Sequence, residues 1–529
     1  MSGRFLDGSG VMTAHFRRLF ATTVALIVVL CGACSNQSSQ TTPGNQTLIV
    51  EKTFAIDSLD PARGTSAAAI FVDSSVYDKL LLINPHDYSK PYPDLATSFT
   101  ASPDGTSYNF NLRHGVKFAN GDPFTSADVV FSLDRLNGIN SAPAALMSGL
   151  TVTAPDPFTV VIAAKSPTPA IPVEMTQFNA VILDSKLVQQ NGGTTNPQDK
   201  AEAYLNGPNQ AGSGPYFFQS VDVTSQIVLK SNPNYWGAKL TYSTVIVRNA
   251  PPATQSLDVQ DGQAGLALDI SPQVAAGLSS SVTVVTAPTL DNVLLYMNAK
   301  SPVTSNQDFR DAVKFGLDYQ GLVSLAGKGA IQSTGFVPVG SLGALPLSDA
   351  PQRDLAAAKA ALALVGAANR TMTITYATDI HIDGILLSTF AAKIQSDLKE
   401  VGITVNLQAE PFTVLLPAAE AGKVQAWLSL NAADFPDPSD FLFFAPGSYF
   451  AGWFKWITGM DPSIDTLFTA ASSAIQPADR DAAYKALATA MNTKGYGLFL
   501  LQPGRAIVEA KSVHADVNVF TFVDLGSVT

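Results

Sequence analysis

The chain has 529 residues, of which 46% are hydrophobic and 14% are charged, a globular composition long enough for two or three folding units. It has 32 Lys and Arg and 43 Asp and Glu, which give a formal net charge of -11. The sequence has no basic patch with interleaved aromatic residues, and this absence argues against nucleic acid as a partner. The acidic balance suits a cationic ligand, although acidity also promotes solubility.

Residues 1–33 predict an export signal. A basic segment (His15–Arg18) precedes Phe20–Leu30, an apolar run as long as a signal-peptide core but too short to span a bilayer comfortably. Met12 is an alternative start, since the residues before it add nothing to this pattern. We therefore expect export and leave this segment out of the fold.

The two cysteines of the chain, Cys31 and Cys34, lie at the end of this signal. The pattern resembles a bacterial lipoprotein signal, in which small residues precede a cysteine that becomes lipidated. Gly32 and Ala33 precede Cys34, which is therefore the expected lipidation site, while Cys31 stands where that pattern has Leu. Secretion with cleavage near Ala33 is the alternative. A mature chain starting at Cys34 has no internal disulfide, cysteine nucleophile or cysteine-based metal site. Its first residues, 34–46, predict a flexible tether.

The first elements predicted beyond the tether are a strand over Thr47–Ala55, a loop with Leu59-Asp60-Pro61 and a helix over Phe71–Leu82. The segment Pro91–Ser98 (PYPDLATS) then leads into a β-rich region that includes a strand predicted over Thr159–Ala163.

Within that region, Leu112–Leu136 (LRHGVKFANGDPFTSADVVFSLDRL) predicts the end of a strand, a tight turn and a capped helix. Residues 120–123 (NGDP) are the turn signal. Thr125 is expected to cap the helix, with Asp128 as an acidic partner in its first turn.

Two shorter motifs follow. Gly212–Tyr216 (GSGPY) contains glycines that permit a turn with positive φ, and Asn232–Trp236 (NPNYW) is a second turn. A strand is predicted between them over Ile227–Lys230.

Strands and helices alternate in the second half of the chain. The two β-α-β units after residue 370 predict a mostly parallel sheet. The predicted strands are Val293–Asn298, Thr371–Tyr376, Ile403–Gln408, Gln425–Leu430, Gly497–Leu501 and Arg505–Glu509, and the predicted helices are Asp308–Ala326, Asp383–Glu400, Phe412–Ala421 and Asp479–Met491. Arg310 and Asp318, in the first of these helices, are expected to have structural roles on the surface of the helix and in its packing.

Together these motifs resemble the peptide-type (family 5) extracytoplasmic solute-binding proteins of bacterial ABC importers, which include dipeptide- and oligopeptide-binding proteins. The resemblance implies an α/β fold with two lobes, the periplasmic-binding-protein-like fold of class II, cluster C type, with an extra β-rich subdomain inserted in lobe I. It implies that residues 47–84 and 211–292 belong to lobe I, 85–210 to the inserted subdomain, 293–494 to lobe II, and 495–529 to a return to lobe I.

The function implied is capture of a peptide between the lobes by hinge closure, followed by delivery to a permease. The expected partners are the peptide, the ABC permease and ATPase subunits, and the membrane through the lipid at Cys34. We expect an extracytoplasmic monomer that is not an enzyme and that needs no cofactor and no metal.

The expected ligand site follows the strand Gln425–Leu430, because ligands of open α/β sheets bind at the carboxyl ends of strands. By the resemblance, Asp434 holds the ammonium group of the peptide, and main-chain groups near Leu430 and Ala432 pair with its backbone. Peptide binders usually carry Gly-Trp where this chain has Leu430-Asn431, which alters the shape of the pocket. The alternative is that Asp434 and Asp437 fix turns before Pro436 and Pro438; for Asp437 we favour the turn.

Three further contacts are weaker candidates. Ala69 and Phe71 follow the Leu59-Asp60-Pro61 loop in a part of lobe I that often touches ligand in this family. Trp453, in an aromatic cluster with Phe450 and Trp456, is a candidate pocket wall, although such spacing more often indicates core packing.

Two other functions stay open. The first is the same fold with a non-peptide solute, such as a metal chelate, haem, a sugar or a lipid-like molecule. The second is an exported hydrolase, although the sequence has no Gly-x-Ser-x-Gly motif and no His-x-x-x-His spacing.

Overall fold

Two β-sheets joined by two crossing segments form the frame of the protein. The computed structural model describes residues 46–84, 87–379, 386–433, 435–518 and 522–529. The predicted signal, Cys34, the tether and Asp434 lie outside these residues, as does the predicted start of the helix at Asp383.

The strands within these ranges are, in chain order, β1 (Gln46–Lys52), β2 (Leu81–Asn84), β3 (Asp87–Pro93), β4 (Ala96–Ala101), β5 (Ser107–Leu112), β6 (Leu150–Asp156), β7 (Thr159–Ala164), β8 (Tyr216–Asp222), β9 (Gln226–Ser231), β10 (Tyr242–Asn249), β11 (Leu266–Ala267), β12 (Val282–Pro288), β13 (Asn292–Met297), β14 (Ile331–Gln332), β15 (Thr371–Ala377), β16 (Thr404–Glu410), β17 (Ala426–Asn431), β18 (Gly497–Gln502), β19 (Gly504–Ala510), β20 (Val517–Asn518) and β21 (Phe522–Val523).

The α-helices are α1 (Ala67–Asp73), α2 (Ser126–Gly138), α3 (Ile171–Glu174), α4 (Ser185–Gln190), α5 (Glu202–Leu205), α6 (Pro252–Gln260), α7 (Pro272–Ala275), α8 (Gln307–Gly316), α9 (Tyr319–Ala326), α10 (Leu355–Ala363), α11 (Leu387–Val401), α12 (Phe412–Glu420), α13 (Tyr449–Trp453), α14 (Pro462–Ser473) and α15 (Pro477–Lys494). Short 3₁₀ turns cover Ala142–Met147, Leu347–Asp349, Ala367–Asn369 and Pro438–Phe444.

Lobe I is built on a seven-stranded sheet with the order β12-β19-β11-β1-β10-β9-β8. The first strand pairs in parallel with β10 and β11, whereas β19 pairs antiparallel with β11 and β12. The late strand β19 therefore returns to the lobe in which the chain began. The prediction that all of residues 495–529 return to lobe I is wrong for β18 (Gly497–Gln502), which pairs with β13 in the sheet of lobe II. The buried core of this lobe includes Val50, Phe71 and Val245.

Lobe II is built on a six-stranded sheet with the order β14-β18-β13-β17-β15-β16. The three strands β15, β16 and β17 are parallel, as the β-α-β pattern predicted. The expectation of a mostly parallel sheet is wrong, because β13, β18 and β14 pair antiparallel. Local sequence does not reveal this, since the partners β13 and β18 are about 200 residues apart, with β13 entering from one crossing segment and β18 leaving into the other.

Within the predicted insert, residues 85–210, the chain forms a four-stranded antiparallel sheet (β4-β5-β7-β6) and the helices α2 to α4. The predicted cap of α2 is confirmed, since the Asp128 carboxylate accepts the Thr125 N–H at 2.8 Å. The apolar side of α2, with Val129 and Leu133, is buried in a core shared with Phe110 of β5. The residue-level boundaries between lobes and insert stay a prediction.

Two predicted helices are wrong in extent. The helix predicted over Phe71–Leu82 ends at Asp73, whose carbonyl accepts the N–H groups of Val76 and Tyr77 in a turn. The helix predicted over Asp308–Ala326 is two helices, because Leu317 is extended and Asp318 caps α9 by accepting the Gly321 N–H at 3.0 Å.

Arg310, on the first of these two helices, has the predicted packing role. Its guanidinium donates to the carbonyls of Lys494 (2.7 Å) and Thr304 (2.9 Å) and lies over the ring of Tyr496.

The two crossing segments, between β12 and β13 and between β18 and β19, are bonded to each other. The Thr289 N–H donates to the Pro503 carbonyl at 2.9 Å, and Gln502 Nε2 donates to the Thr289 carbonyl at 2.7 Å. Because both lobes meet at these bonds, any hinge motion must turn about this pair of segments.

A buried ion cluster fastens the insert to lobe I. Arg135 of α2 donates to both oxygens of Asp60 (2.7 and 2.6 Å) and to both oxygens of Asp199 (2.8 Å each). All three side chains are inaccessible to solvent, and Arg63 adds a second guanidinium at the edge. Although burial opposes ionisation, the bonds from Arg135 lower the pKa of Asp199.

We expect Arg135→Met to destabilise the protein by roughly 3–5 kcal/mol, because two buried carboxylates would lose their main counter-charge. Urea unfolding at pH 7 measures this loss. The matched control is Lys186→Met, which removes an exposed cation paired with Asp122 and is expected to cost less than about 1 kcal/mol. Equal effects of the two substitutions would contradict the role given to Arg135.

Candidate functional site

The segment after β17 lies at the edge of lobe II where parallel strands end together. Of the predicted contacts, Leu430 is 8% exposed and pairs with Val293 in the sheet, whereas Ala432 is exposed just beyond the strand. The Ala433 N–H donates to the carboxylate of Asp291, in a crossing segment, at 3.2 Å. In the sequence, Asp434 directly follows Ala433, three residues beyond the end of this strand at Asn431.

The residues after Asp434 bond the loop that follows β17 to the rest of lobe II. Asp437 accepts from two Arg480 nitrogens (2.8 and 2.5 Å) and from the Ser439 N–H (2.9 Å). The turn expected at Asp437 is confirmed, and the ion pair between Asp437 and Arg480 connects this turn to α15. Both charged side chains are almost fully buried.

Two of the three weaker candidates lie in a core, and the third, Trp453, is partly buried beside one. Ala69 and Phe71 are fully buried in lobe I. Trp453 stacks on Trp427 with a centroid distance of 5.8 Å, near the start of β17 rather than its carboxyl end. The structure does not bring these side chains together with the segment after β17. As ligand contacts they stay predictions, and their surroundings favour packing.

A cavity of about 120 Å³ lies between the lobes. Lobe II contributes Phe435 and Pro436, and the opposite side contributes residues from lobe I and from the insert. The polar and aromatic members of its wall are Ser74, Tyr77, Asp78, Lys79, Tyr92, Asp94, Thr176, Gln177, Phe178, Tyr235 and Asp524.

Asp78 links this cavity to the motifs read from the sequence. Its carboxylate accepts Ser213 Oγ–H of GSGPY and Trp236 Nε1–H of NPNYW, both at 2.8 Å. The two motifs are thus turns gathered around one buried carboxyl group. The glycines of GSGPY do not adopt the positive φ that the sequence suggested. They are required by packing instead, since a side chain at Gly212 or Gly214 would meet the Val76 main chain.

The ionisable groups of the cavity are perturbed by burial. Burial raises the pKa of Asp78, and burial followed by the charge of Asp78 raises the pKa of Asp94 well above its ordinary value. Burial also raises the pKa of Asp524 and lowers the pKa of Lys79. The cavity therefore holds hydrogen-bonding groups that resist carrying full charge, and it suits a polar ligand.

Sequence reasoning missed Asp78, Lys79 and Asp94 as cavity residues. Asp94 stands within PYPDLATS, but nothing in that segment shows that its carboxylate accepts the Lys79 N–H at 2.8 Å. In the described part of the chain, no group of three or more His, Cys, Asp or Glu is placed to hold a metal ion. None of the helices there has the length and apolar character of a membrane span.

Comparison with known proteins agrees with this architecture. A family model described as bacterial extracellular solute-binding proteins, family 5 Middle, matches residues 90–452. The chain belongs to this family. The E. coli K12 protein named probable D,D-dipeptide-binding periplasmic protein DdpA is 30% identical over 356 residues, 66% of this chain and 67% of that protein.

One further relative and one solved structure align with almost all of this family 5 protein. A Lactococcus lactis protein named dipeptide-binding protein is 25% identical over 528 residues, 90% of this chain and 92% of that one. The crystal structure of the ABC transporter substrate-binding protein CtaP from Listeria monocytogenes aligns with a TM-score of 0.79 at 18% identity, covering 92% of this chain and 99% of that one. The expected two-lobed binding-protein fold is confirmed.

We expect Asp94→Asn to stabilise this family 5 protein at alkaline pH. A carboxyl group whose pKa is raised by folding binds its proton more tightly in the folded state, so its contribution to stability falls as the pH rises above the ordinary range of Asp. Asn keeps an acceptor for the Lys79 N–H and cannot ionise. The Tm of the variant should exceed that of the wild type at pH 8 and differ least at pH 4.

Thermal unfolding at pH 4, 6 and 8 measures this difference, with Asp261→Asn as the control because Asp261 is exposed at the end of α6. A lower Tm of Asp94→Asn at pH 8 would show that the carboxylate is stabilising and the interpretation wrong.

Proposed function

We propose that this family 5 protein captures peptides in the crevice between its lobes and delivers them to the permease of an ABC importer. The observation that carries the proposal is the interlobe cavity, which has Phe435 and Pro436 on one wall, directly after Asp434. A ligand there touches both lobes and stabilises the closed arrangement over the open one. Relatives named as dipeptide-binding proteins support peptide as the ligand class.

In this proposal Asp434 holds the peptide's ammonium group. Its place past the carboxyl end of β17 gives it the family's position for that role, and a charge-assisted hydrogen bond shielded from water is stronger than a neutral one. Ala432 is exposed beyond the strand, and its main chain is proposed to pair with the peptide backbone in place of Asn431 Nδ2, which donates to the Ala432 carbonyl at 3.1 Å. Neither contact needs a particular side chain on the peptide.

The proposal also includes lipid anchoring at Cys34 outside the cytoplasm, with the permease and its ATPase as partners and no catalysis. The mature protein would be tethered by residues 34–46, which keeps it near the transporter. The support is the sequence Gly32-Ala33-Cys34 after an apolar run.

We expect Asp434→Asn to weaken the binding of tripeptides with a free amino terminus by one to two orders of magnitude, because a charge-assisted bond is worth roughly 1.5–3 kcal/mol. N-acetylation of the peptide should weaken binding to the wild type and have little further effect on the variant. Isothermal titration measures both. Asp349→Asn, an exposed carboxylate of lobe II, is the control.

Unchanged tripeptide affinity in Asp434→Asn would refute the ammonium site. Native mass spectrometry of purified protein tests the ligand class separately: co-purified peptides support it, and a single non-peptide ligand would replace it. Release of amino acids from a peptide pool would contradict a purely binding role.

We expect Cys34→Ser to move the protein from the membrane fraction to the soluble extracytoplasmic fraction. Cys31→Ser is the matched control, and it should leave the protein in the membrane fraction with a mass that includes the lipid. Cell fractionation and intact-mass measurement test this pair. Release of both variants, or of neither, would show that Cys34 is not the anchor.

A further inference from the structure

The interlobe cavity brings acidic side chains together. Its wall carries three carboxyl groups, those of Asp78, Asp94 and Asp524, and one amino group, that of Lys79. The two residues that lobe II contributes to the wall, Phe435 and Pro436, carry no charge. Acidic groups are therefore in excess on this wall.

Asp78 and Asp94 are the buried members of this set, with 9% and 3% of their surface exposed. They lie on neighbouring segments, because the N–H of Lys79, the residue after Asp78, donates to Asp94 Oδ2 at 2.8 Å. The Leu95 N–H in turn donates to the Lys79 carbonyl at 3.0 Å. Burial, followed by the charge of Asp78, raises the pKa of Asp94, which agrees with this proximity.

One oxygen of each buried carboxyl group has no partner. Oδ2 of Asp78 accepts the bonds from Ser213 and Trp236, and Oδ2 of Asp94 accepts the bond from Lys79. Oδ1 of each accepts no hydrogen bond from the described residues, yet neither Oδ1 atom is sealed from solvent. Because both residues line the cavity and are otherwise buried, the cavity is where these two oxygens are accessible.

Lys79 does not neutralise these carboxyl groups by direct contact. In the part of the chain that the structure describes, its amino group forms no ion pair and no hydrogen bond, and it acts on the three carboxyl groups only through its charge. Burial lowers the pKa of Lys79. A cation bound in the cavity against Oδ1 of Asp78 or Asp94 would be a closer counter-charge than Lys79.

A cationic group is the ligand chemistry that matches this wall. Ammonium and guanidinium groups carry only donors, which suits oxygens that need donors, and their bonds to carboxylates are charge-assisted. A carboxylate on the ligand would be repelled by the acidic side chains. Aromatic residues on the same wall can cover the methylene groups of a long side chain, and aromatic faces attract cations; these residues are Tyr92, Phe178, Tyr235 and Phe435.

We propose that the interlobe cavity is a subsite for the cationic side chain of a lysine or arginine in the bound peptide, with Asp78 and Asp94 as its acceptors. The proposal rests on the proposed function and adds the class of peptide to it. A volume of about 120 Å³ suits the end of one side chain. Pockets that bury a whole small ligand are larger, roughly 300–1,000 Å³.

The first test compares tripeptides by isothermal titration at pH 8. Lys-Ala-Ala, Ala-Lys-Ala and Ala-Ala-Lys place the amine at each position, and the matching Met and Gln peptides replace it with an apolar or a neutral polar group. The wild type is expected to bind one of the Lys peptides at least tenfold more tightly than its Met and Gln counterparts.

Two variants of the wall should act in opposite directions. Asp94→Asn should reduce the preference for Lys to about one, because it removes a negative charge from the subsite. Lys79→Met should increase the preference several-fold, because it removes a like charge. Asp261→Asn, on the exposed carboxylate at the end of α6, is the control and should change nothing.

A merely structural role of this wall would make both variants bind the Lys peptide more weakly. Thermal unfolding of each variant at pH 8 confirms that it folds. Because Asp94→Asn is expected to be more stable than the wild type at this pH, a loss of Lys preference in that variant is not a loss of folded protein.

A pH profile adds a readout of charge. The carboxyl groups whose pKa is raised by burial must lose a proton to hold a cation, so the preference for Lys over Met is expected to increase from pH 5 to pH 8. The ligand amine stays protonated over this range. Asp94→Asn should flatten the profile. The other titratable and charged groups facing Asp94 are Asp78, Lys79, Asp524, Tyr92, Tyr235 and Arg113.

Equal binding of the Lys, Met and Gln peptides by the wild type would overturn the subsite and leave the proposed function intact. So would a Lys preference that survives in Asp94→Asn, or one that Lys79→Met weakens.

A second probe, 1,5-diaminopentane, separates the subsite from the proposed function, because it carries the lysine amine without a peptide. If no tripeptide binds, Ala-Ala-Ala included, the proposed function fails. The cation site then still stands if the diamine binds to the wild type and about tenfold more weakly to Asp94→Asn, and it falls if the diamine does not bind or binds both equally.

Discussion

The rest of the structure depends on one buried ion cluster. Arg135 comes from the insert, Asp60 from the loop after β1 and Asp199 from beyond α4, so three distant segments share one set of charges. Buried ions are tolerated only when they are paired and fully hydrogen-bonded. The cluster therefore fixes where the insert stands on lobe I, and with it every insert residue that faces lobe II.

From that position the insert and lobe I form one side of the interlobe cavity, and lobe II forms the other. Phe435 lines this cavity, and the Asp437–Arg480 ion pair fixes the loop that carries it. Burial shifts Asp78, Lys79 and Asp94, on the opposite wall, toward their neutral forms. A low dielectric makes such groups selective, because each must be matched by a partner when the lobes close.

Much of the fold could be predicted from sequence because the signals were local. The cap of α2, the strands β15 to β17 and the turn at Asn232–Trp236 depend on neighbours within a few residues. The break between α8 and α9 was missed, because a continuous apolar face hid the cap at Asp318. The antiparallel half of the lobe II sheet was missed because strand partners far apart in sequence leave no periodic signal.

By itself, the sequence determined the family, and it predicted an export signal and a ligand site at Asp434 past a strand end, since each of these is a local pattern. It did not determine which side chains line the crevice. Only the tertiary structure placed Asp78, Lys79 and Asp94 on the wall of the interlobe cavity. The reason is physical: burial and long-range pairing, not residue type, decide whether a carboxyl group is a surface charge or part of a binding site.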